Sequence, residues 1–151
     1  MFVDTYVWIS AFINADGPPA RVLDAFIQAR FIPVVSETLL REIRAVAKRP
    51  RIRRRCRFHD DALETLLTLL RDRAIEAFPT GHLRMCRDPN DDALLETAVL
   101  GGAQFAVSRD DDIKRDPPLI ACLRQQGVEV LSVAQFLRWL TADRDDEPSA
   151  D

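Results

Sequence analysis

Five acidic residues, spread over four segments of the sequence, have the side-chain type needed to bind a divalent metal ion. They are Asp4, Glu42, Asp92, Asp110 and Asp112. Hard cations such as Mg²⁺ and Mn²⁺ prefer oxygen ligands, which carboxylates supply. Carboxylates that fold together without a cation repel one another, so a cluster of this kind indicates a bound ion. Such an ion acidifies its bound water, and a pair of ions can stabilise both the attacking and the leaving oxygen of a displacement, so no histidine base is needed.

Most of these acids also have a structural interpretation. Asp4 can cap a helix, although its apolar neighbours would make an unpaired carboxylate costly. Glu42 borders the apolar stripe of a predicted helix, where its long side chain can reach solvent or pair with an arginine. Asp110 and Asp112 can belong to a solvated loop. Each acid alone is therefore weak evidence, and their combination favours the metal site.

Asp92 is the acid that local structure explains least well. The segment Asp88-Pro89-Asn90-Asp91 is a complete helix-start signature, with Asp88 as the N-cap and Pro89 in the first turn. Asp92 falls one position past this signature and directly before the apolar run 93–95. The sequence therefore predicts Asp92, rather than Asp88 or Asp91, as the ligand.

Short apolar runs alternate with helical periodicity along the chain. The pattern predicts strands over Phe2–Val3, Phe31–Val35, Gln104–Ser108 and Val128–Leu131. It predicts helices over Ala20–Arg30, Ser36–Lys48, Asp60 or Asp61 to Ala74, Asp88–Leu100, Leu119–Gln126 and Ser132–Leu140, with a compact helical or turn segment near Val7–Ile13. This alternation is typical of an α/β fold with a parallel sheet. Sites in such sheets form outside the carboxyl ends of the strands, which is where Asp4 and Asp110 fall.

The charge distribution is uneven. The last ten residues carry a net charge of −4, and the remaining 141 residues therefore carry +1, against −3 for the whole chain. We expect one domain over residues 1–141 and a disordered acidic tail over residues 142–151. The stretch Lys48–Arg57 contains seven basic residues in ten positions, which suits either a solvated helix end or a phosphate-backbone binder. The arginines predicted to contact a nucleic-acid backbone are Arg51, Arg53, Arg54, Arg55 and Arg57.

Several classes of protein are disfavoured by composition. No apolar run approaches the roughly 18 residues of a membrane span, and the N-terminus lacks a basic signal-peptide region. Three cysteines without framework spacing suggest reduced thiols, so we expect a cytoplasmic protein. Cys56-x2-His59 and His82-x3-Cys86 form a possible zinc set, but a predicted helix separates the pairs and arginines crowd the first.

Four motifs in order resemble those of the PIN-domain proteins. They are Asp4-Thr5, Ser36-x5-Glu42, Arg87-Asp88-Pro89-x-Asp91-Asp92 and Val107-Ser108-Arg109-Asp110-x-Asp112. The chain is most similar to the VapC-like toxins of toxin–antitoxin pairs, over about Phe2 to Leu140. The resemblance implies a three-layer α/β/α sandwich with a central parallel sheet of four or five strands. It also implies an Mg²⁺- or Mn²⁺-dependent endoribonuclease that forms homodimers and is inhibited by a small antitoxin.

The same resemblance assigns roles within the site. It implies that Asp4, Glu42 and Asp92 are the core catalytic metal ligands, that Asp110 and Asp112 complete the set, and that Ser108 hydrogen-bonds beside it. One position departs from the family pattern, because Tyr6 stands where an asparagine is usual two residues after the first aspartate. Tyr6 can still donate its hydroxyl to the site.

Three other classes of protein compete with this interpretation. A haloacid-dehalogenase-type phosphatase needs a second aspartate at the position of Tyr6, and a receiver domain needs an acidic pair after the first strand. The sequence lacks both features. A non-catalytic PIN-like module that binds RNA or protein without cutting it fits the same residues, and only a test of turnover separates it from a nuclease.

Overall fold

The computed structural model describes residues 1–56, 60–84, 89–109 and 117–145. The strands in this part of the chain are β1 (Phe2–Val3), β2 (Val34–Val35), β3 (Ile75–Glu76), β4 (Phe105–Ser108) and β5 (Glu129–Ser132). The helices are α1 (Thr5–Ile13), α2 (Pro18–Ile27), α3 (Glu37–Ala47), α4 (Pro50–Arg55), α5 (Asp60–Arg73), α6 (Pro89–Leu100), α7 (Pro117–Gln125) and α8 (Val133–Asp145). None of these helices has the length and apolar character needed to cross a membrane.

The five strands form one parallel sheet in the order β3-β2-β1-β4-β5. The N-terminal strand β1 is central, with Phe2 opposite both Val34 and Ala106 and with Val3 opposite Val107. Because every pair is parallel, the carboxyl ends of all strands lie along one edge of the sheet, here called the carboxyl edge. The flanking helices and this sheet confirm the predicted α/β class with a parallel sheet.

Aromatic side chains join the N-terminal helices to the C-terminal one in a single buried cluster. The indole of Trp8 donates to the carbonyl of Val3 at 3.1 Å and meets the ring of Phe26 edge-on, with centroids 5.6 Å apart. Phe31 makes a similar edge contact with Phe136 of α8 at 5.1 Å. Such pairs contribute about 0.5–1.5 kcal/mol each beyond the area they bury. They fix α1 against the sheet, and α1 is the helix that follows Asp4.

The end of α6 approaches β2 more closely than any side chain would allow. A Cβ atom at Gly101 would lie 2.0 Å from Cγ1 of Val34, so only glycine fits there without movement. Gly102 follows with a φ of 66°, in the left-handed region that favours glycine after a helix. This contact sets the height of α6 against the sheet, and with it the position of the first turn of α6.

Three elements differ most from the sequence-based prediction, while the ends of others shift by up to three residues, as β2 begins at Val34 rather than Phe31. Strand β3 was not predicted, because both of its residues are exposed and two residues carry no periodicity. Pro50 was expected only to end α3, but it also begins α4, since proline is tolerated in the first turn of a helix. Helix α8 continues to Asp145 rather than ending at Leu140, so it includes the first residues of the predicted tail.

Candidate active site

Asp4 and Glu42 come from different elements and are linked through one threonine. The backbone N–H of Asp4 donates to the carbonyl of Val107 at 2.9 Å, which continues the β1–β4 pairing and places Asp4 at the carboxyl edge beside Ser108. The hydroxyl of the fully buried Thr5 donates to Oε2 of Glu42. Asp4 and Glu42 are both half-buried. The structure thus brings the segment of Asp4 and the side chain of Glu42 together at one end of the sheet.

Asp92 belongs to the first turns of α6 and is 8% exposed. Helix α6 is followed by β4, so it runs against the strand direction and its first turn points toward the carboxyl edge. A buried hydrogen bond of 2.8 Å joins Oγ of Ser36, directly after β2, to Oγ1 of Thr97 on α6. Asp92 lies five residues before Thr97, which is about 7.5 Å along the helix axis. Asp92 therefore lies past the level of Ser36, toward the carboxyl edge.

The N-terminus of α3 is fixed by the same serine. Oγ of Ser36 accepts a hydrogen bond from the backbone N–H of Leu39 at 3.2 Å, which is the N-cap interaction predicted from the sequence. Leu39 and Ile43 are fully buried on the inner face of α3, and Glu42 lies at the border of that face. The predicted position of Glu42 beside the apolar stripe is therefore what the structure shows.

Glu96 is a functional candidate that sequence reasoning missed. It lies one turn after Asp92 on α6 and is 3% exposed. Its carboxylate accepts hydrogen bonds from the hydroxyl and the backbone N–H of Thr80 and from the N–H of Gly81 at 3.0 Å. The Thr80 hydroxyl, and then the two N–H groups, hold the pKa of Glu96 below its usual value against the opposing effect of burial. An acid among the apolar residues of α6 was the signal that could have identified it.

Two of the five predicted carboxylate ligands, Asp110 and Asp112, lie outside the described residues, as do the helix-start aspartate Asp88 and the predicted RNA contact Arg57. Ser108 is half-buried at the end of β4. Within the described part of the chain, no three His, Cys, Asp or Glu side chains are grouped closely enough to hold a metal ion. Asp4, Glu42 and Asp92 therefore do not form a metal-binding group by themselves, and the metal site that includes Asp110 and Asp112 stays a prediction.

Tyr6 and the basic residues of α4 form a second feature next to Asp4. Nη1 of Arg49 donates to the Tyr6 hydroxyl at 2.9 Å, and the guanidinium carbon of Arg109 lies 4.9 Å from the centre of the Tyr6 ring. An open cleft of about 840 Å³ begins at this tyrosine and runs between α1 and α4. We call it the Tyr6 cleft. It is lined by Tyr6, Ile9, Ser10, Ile13, Arg49, Pro50, Arg51, Ile52, Arg54, Arg55 and Arg109.

The predicted RNA-binding arginines separate into two groups in the structure. Arg51, Arg54 and Arg55 line the Tyr6 cleft. Arg53 points elsewhere and pairs with the exposed Asp60 at 3.0 Å. The cleft also contains Arg49 and Arg109, which the sequence analysis did not select. No sequence signal shows that Arg109, which follows β4, faces α4 across Tyr6.

Cys56 and His82, the two described members of the possible zinc set, do not favour a zinc site. Cys56 is buried, and desolvation raises the pKa of its thiol, which disfavours the thiolate that zinc requires. The ring of His82 lies 2.9 Å from the hydroxyl of Thr80. The other two members of the set, His59 and Cys86, lie outside the described residues.

Comparisons with known proteins agree with the fold. A family model described as a PIN domain matches residues 1–112. An uncharacterized protein of Methanocaldococcus jannaschii is 27% identical over 111 residues, which cover 74% of this chain and 70% of that protein. No solved structure shows a significant match. The matched segment includes every carboxylate of the predicted site.

Proposed function

This chain belongs to the PIN-domain family, and we propose that it is a metal-dependent endoribonuclease that hydrolyses phosphodiester bonds in RNA. Membership of this family supports a hydrolase of the nuclease type. The observation that carries the proposal is the hydrogen bond from Thr5 to Glu42, which brings the side chain of Glu42 to the segment of Asp4 at the carboxyl edge of a parallel sheet. Partly buried carboxylates at such an edge are suited to binding a divalent cation.

The donor set fits Mg²⁺ or Mn²⁺. All three described candidates are carboxylates, and hard divalent cations prefer oxygen ligands to the sulfur and nitrogen ligands of zinc sites. Asp4, Glu42 and Asp92 would hold the ion, with Asp110 and Asp112 completing the set. When bound, such an ion would lower the pKa of its water and stabilise the negative charge that develops at the scissile phosphate. Thr5 orients the Glu42 carboxylate through its hydroxyl, which is the role of an outer-shell partner in metal sites.

The arginines of the Tyr6 cleft support an RNA substrate. Within the described residues, Arg49, Arg51, Arg54 and Arg55 have no carboxylate partner, although Arg44, Arg53 and Arg71 are paired. Uncompensated arginines beside a hydrolytic site attract a polyanion and contact its phosphates. Such contacts position a strand without reading its sequence.

The toxin role is part of the same proposal. It is supported by the order and spacing of the four acidic motifs, and it implies a cytoplasmic homodimer inhibited by a small antitoxin. Induced expression of the chain should then arrest growth, and co-expression of a small protein encoded directly upstream should restore it. Growth unaffected by an active nuclease would contradict the toxin role while leaving the nuclease assignment intact.

A cleavage assay tests the nuclease proposal. Purified protein should cut RNA with Mg²⁺ or Mn²⁺, and EDTA should stop the reaction. Asp92→Asn should abolish cleavage because it removes one ligand charge, whereas Asp72→Asn, an equal change at an exposed position of α5, should leave it intact. Equal cleavage by the wild type and Asp92→Asn would contradict the assigned site. A folded wild type that binds RNA but never cuts it would favour the non-catalytic alternative.

A further inference from the structure

A chain of hydrogen bonds joins the start of helix α3 to helix α6 inside the protein. Oγ of Ser36 accepts from the backbone N–H of Leu39 at 3.2 Å and lies 2.8 Å from Oγ1 of Thr97, which contacts the carbonyl of Ala93 at 2.8 Å. Ser36 and Thr97 are both fully buried. We call this pair of side chains the hydroxyl bridge. It connects the two helices that carry Glu42 and Asp92.

Both protons of the hydroxyl bridge have an acceptor. A carbonyl can only accept, so the hydroxyl of Thr97 donates to Ala93. Each hydroxyl has one proton, and the hydroxyl of Ser36 therefore donates to Oγ1 of Thr97 while its oxygen accepts from Leu39. Neither bridge residue has surface exposed to solvent, so water does not readily replace a lost partner.

The hydroxyl bridge lies between a fixed point of α6 and Asp92. Near its end, α6 approaches β2 at Gly101, where no side chain fits. Thr97 is four residues and Asp92 nine residues before Gly101, which is about 6 Å and about 13.5 Å along the helix axis. If α6 pivots at Gly101, a sideways shift at Thr97 is enlarged roughly twofold at Asp92. The other tie of this helix, from Glu96 to Thr80, leads to an exposed segment rather than to α3.

The length of the hydroxyl bridge sets how far α6 stands from the start of α3. A methyl group in place of the Thr97 hydroxyl turns the oxygen–oxygen contact of 2.8 Å into a carbon–oxygen contact of about 3.3–3.6 Å. The difference of about 0.5–0.8 Å becomes up to roughly 1–2 Å at Asp92. The groups of a binding site have to be held within about 0.5 Å of their working positions. A change of this size would therefore disturb the spacing between Asp92 and Glu42.

We propose that Ser36 and Thr97 are positioning residues, whose hydroxyl bridge holds the helices of Glu42 and Asp92 at the spacing that the predicted cation site requires. The inference rests on the proposed function, because that function names the cation. It adds a role for two residues that contact neither the cation nor the substrate. Ser36 then acts twice, as the N-cap of α3 and as the hydrogen-bond donor that fixes α6.

Calorimetric titration with Mn²⁺ tests this inference without RNA and without cleavage. It compares the wild type with Thr97→Val, which keeps the shape of the side chain but removes the hydroxyl, and with Thr97→Ser, which keeps the hydroxyl. Ser36→Ala is measured alone and combined with Thr97→Val. Val128→Ala is the control, since it removes two buried methyl groups beside β5, three strands away from β2, and lowers stability without touching the bridge. Chemical denaturation in EDTA measures the stability of each folded variant.

We expect Thr97→Val to lower Mn²⁺ affinity by roughly 5- to 30-fold, the upper part of the range for residues that act on a site through their contacts. Thr97→Ser and Val128→Ala should bind Mn²⁺ within about twofold of the wild type. Ser36→Ala should lower the affinity at least as much as Thr97→Val, and combining the two should cause little further loss, because both remove the same bond. The double variant should still be more stable than the sum of the single effects predicts, since it leaves no unpaired hydroxyl.

The inference is overturned if Thr97→Val binds Mn²⁺ as the wild type or as Thr97→Ser does, or if Val128→Ala loses as much affinity at equal stability. Additive effects of Ser36→Ala and Thr97→Val on Mn²⁺ affinity would overturn it as well. Mn²⁺ binding that depends on Thr97 in a protein that never cuts RNA would contradict the nuclease proposal alone. Mn²⁺ binding and RNA cleavage that are both unchanged in Thr97→Val would contradict the inference alone, and a wild type that binds no Mn²⁺ would overturn both.

Discussion

Replacing Glu96 with alanine removes the acceptor that ties the segment containing Thr80 and Gly81 to helix α6. The carboxylate accepts two backbone N–H groups and one hydroxyl, and it is almost fully buried. Hydrogen bonds to charged groups contribute about 1.5–3 kcal/mol each. Thr80 and Gly81 are exposed, so water can replace part of what they lose. We therefore expect Glu96→Ala to lower the free energy of unfolding by roughly 2–4 kcal/mol.

For a chain of this length, that change corresponds to a fall of about 5–10 °C in Tm. Glu96→Gln should lie between the wild type and Glu96→Ala, because its amide keeps the volume but turns one N–H acceptor into a donor. Thermal unfolding followed by circular dichroism measures both. Glu129→Gln, the same change at an exposed position of β5, should leave Tm unchanged.

The effect of Glu96→Gln should also depend on pH in one direction. The pKa of Glu96 is lowered in the folded state, mainly by the Thr80 hydroxyl, so folding favours the ionised form. Its contribution is therefore complete above the unfolded pKa near 4.5 and is lost as the pH falls through the lower folded pKa. The difference in Tm between the wild type and Glu96→Gln should be largest at neutral pH and shrink as the pH falls below 4.5. Equal melting of all three proteins at neutral pH, or a difference that grows in acid, would refute this reasoning.

Two further substitutions test the placement of the site. Thr5→Val removes the hydroxyl that donates to Glu42 and should slow RNA cleavage by about 10- to 100-fold, as loss of an outer-shell partner does. Thr5→Ser keeps the donor and should keep most of the activity. Equal cleavage rates for the two variants would argue against this role of Thr5. Gly101→Ala places a Cβ 2.0 Å from Val34 and should cost about 1–3 kcal/mol in chemical denaturation. Adding Val34→Ala removes the clashing methyl, so the double variant should be more stable than the sum of the single effects predicts, and strict additivity would show that the contact is unimportant.

The parts of the fold that the sequence predicted are those with a local physical signal. Strand β1, the Ser36 cap of α3 and the apolar faces of α3 and α5 follow from hydrophobic periodicity and capping chemistry. The same signals placed Glu42 at the edge of a buried face and Asp92 just past a helix start. Strand β3 escaped prediction because its pairing with β2, rather than its own sequence, makes it a strand.

The contacts that were missed depend on segments that are distant in sequence. Glu96 meets Thr80 and Gly81 across 15 or 16 positions, and Thr5 meets Glu42 across 37. Arg49 and Arg109 meet at Tyr6 only because β1 lies next to β4 and α4 turns back over α1. Side-chain type indicated which residues were chemically capable, but only the topology determines which of them meet.

The central claim is that carboxylates from separate segments jointly bind one divalent ion. Calorimetric titration of the purified protein with Mn²⁺ tests it most directly, using Asp4→Asn, Glu42→Gln and Asp92→Asn beside the exposed control Asp72→Asn. Loss of an outer-shell partner lowers metal affinity by roughly 10- to 100-fold, and loss of a direct ligand should cost at least as much. We therefore predict such a fall in Mn²⁺ affinity for each of the three folded variants, while the control binds Mn²⁺ as the wild type does. Unchanged Mn²⁺ affinity in these three variants would contradict the account.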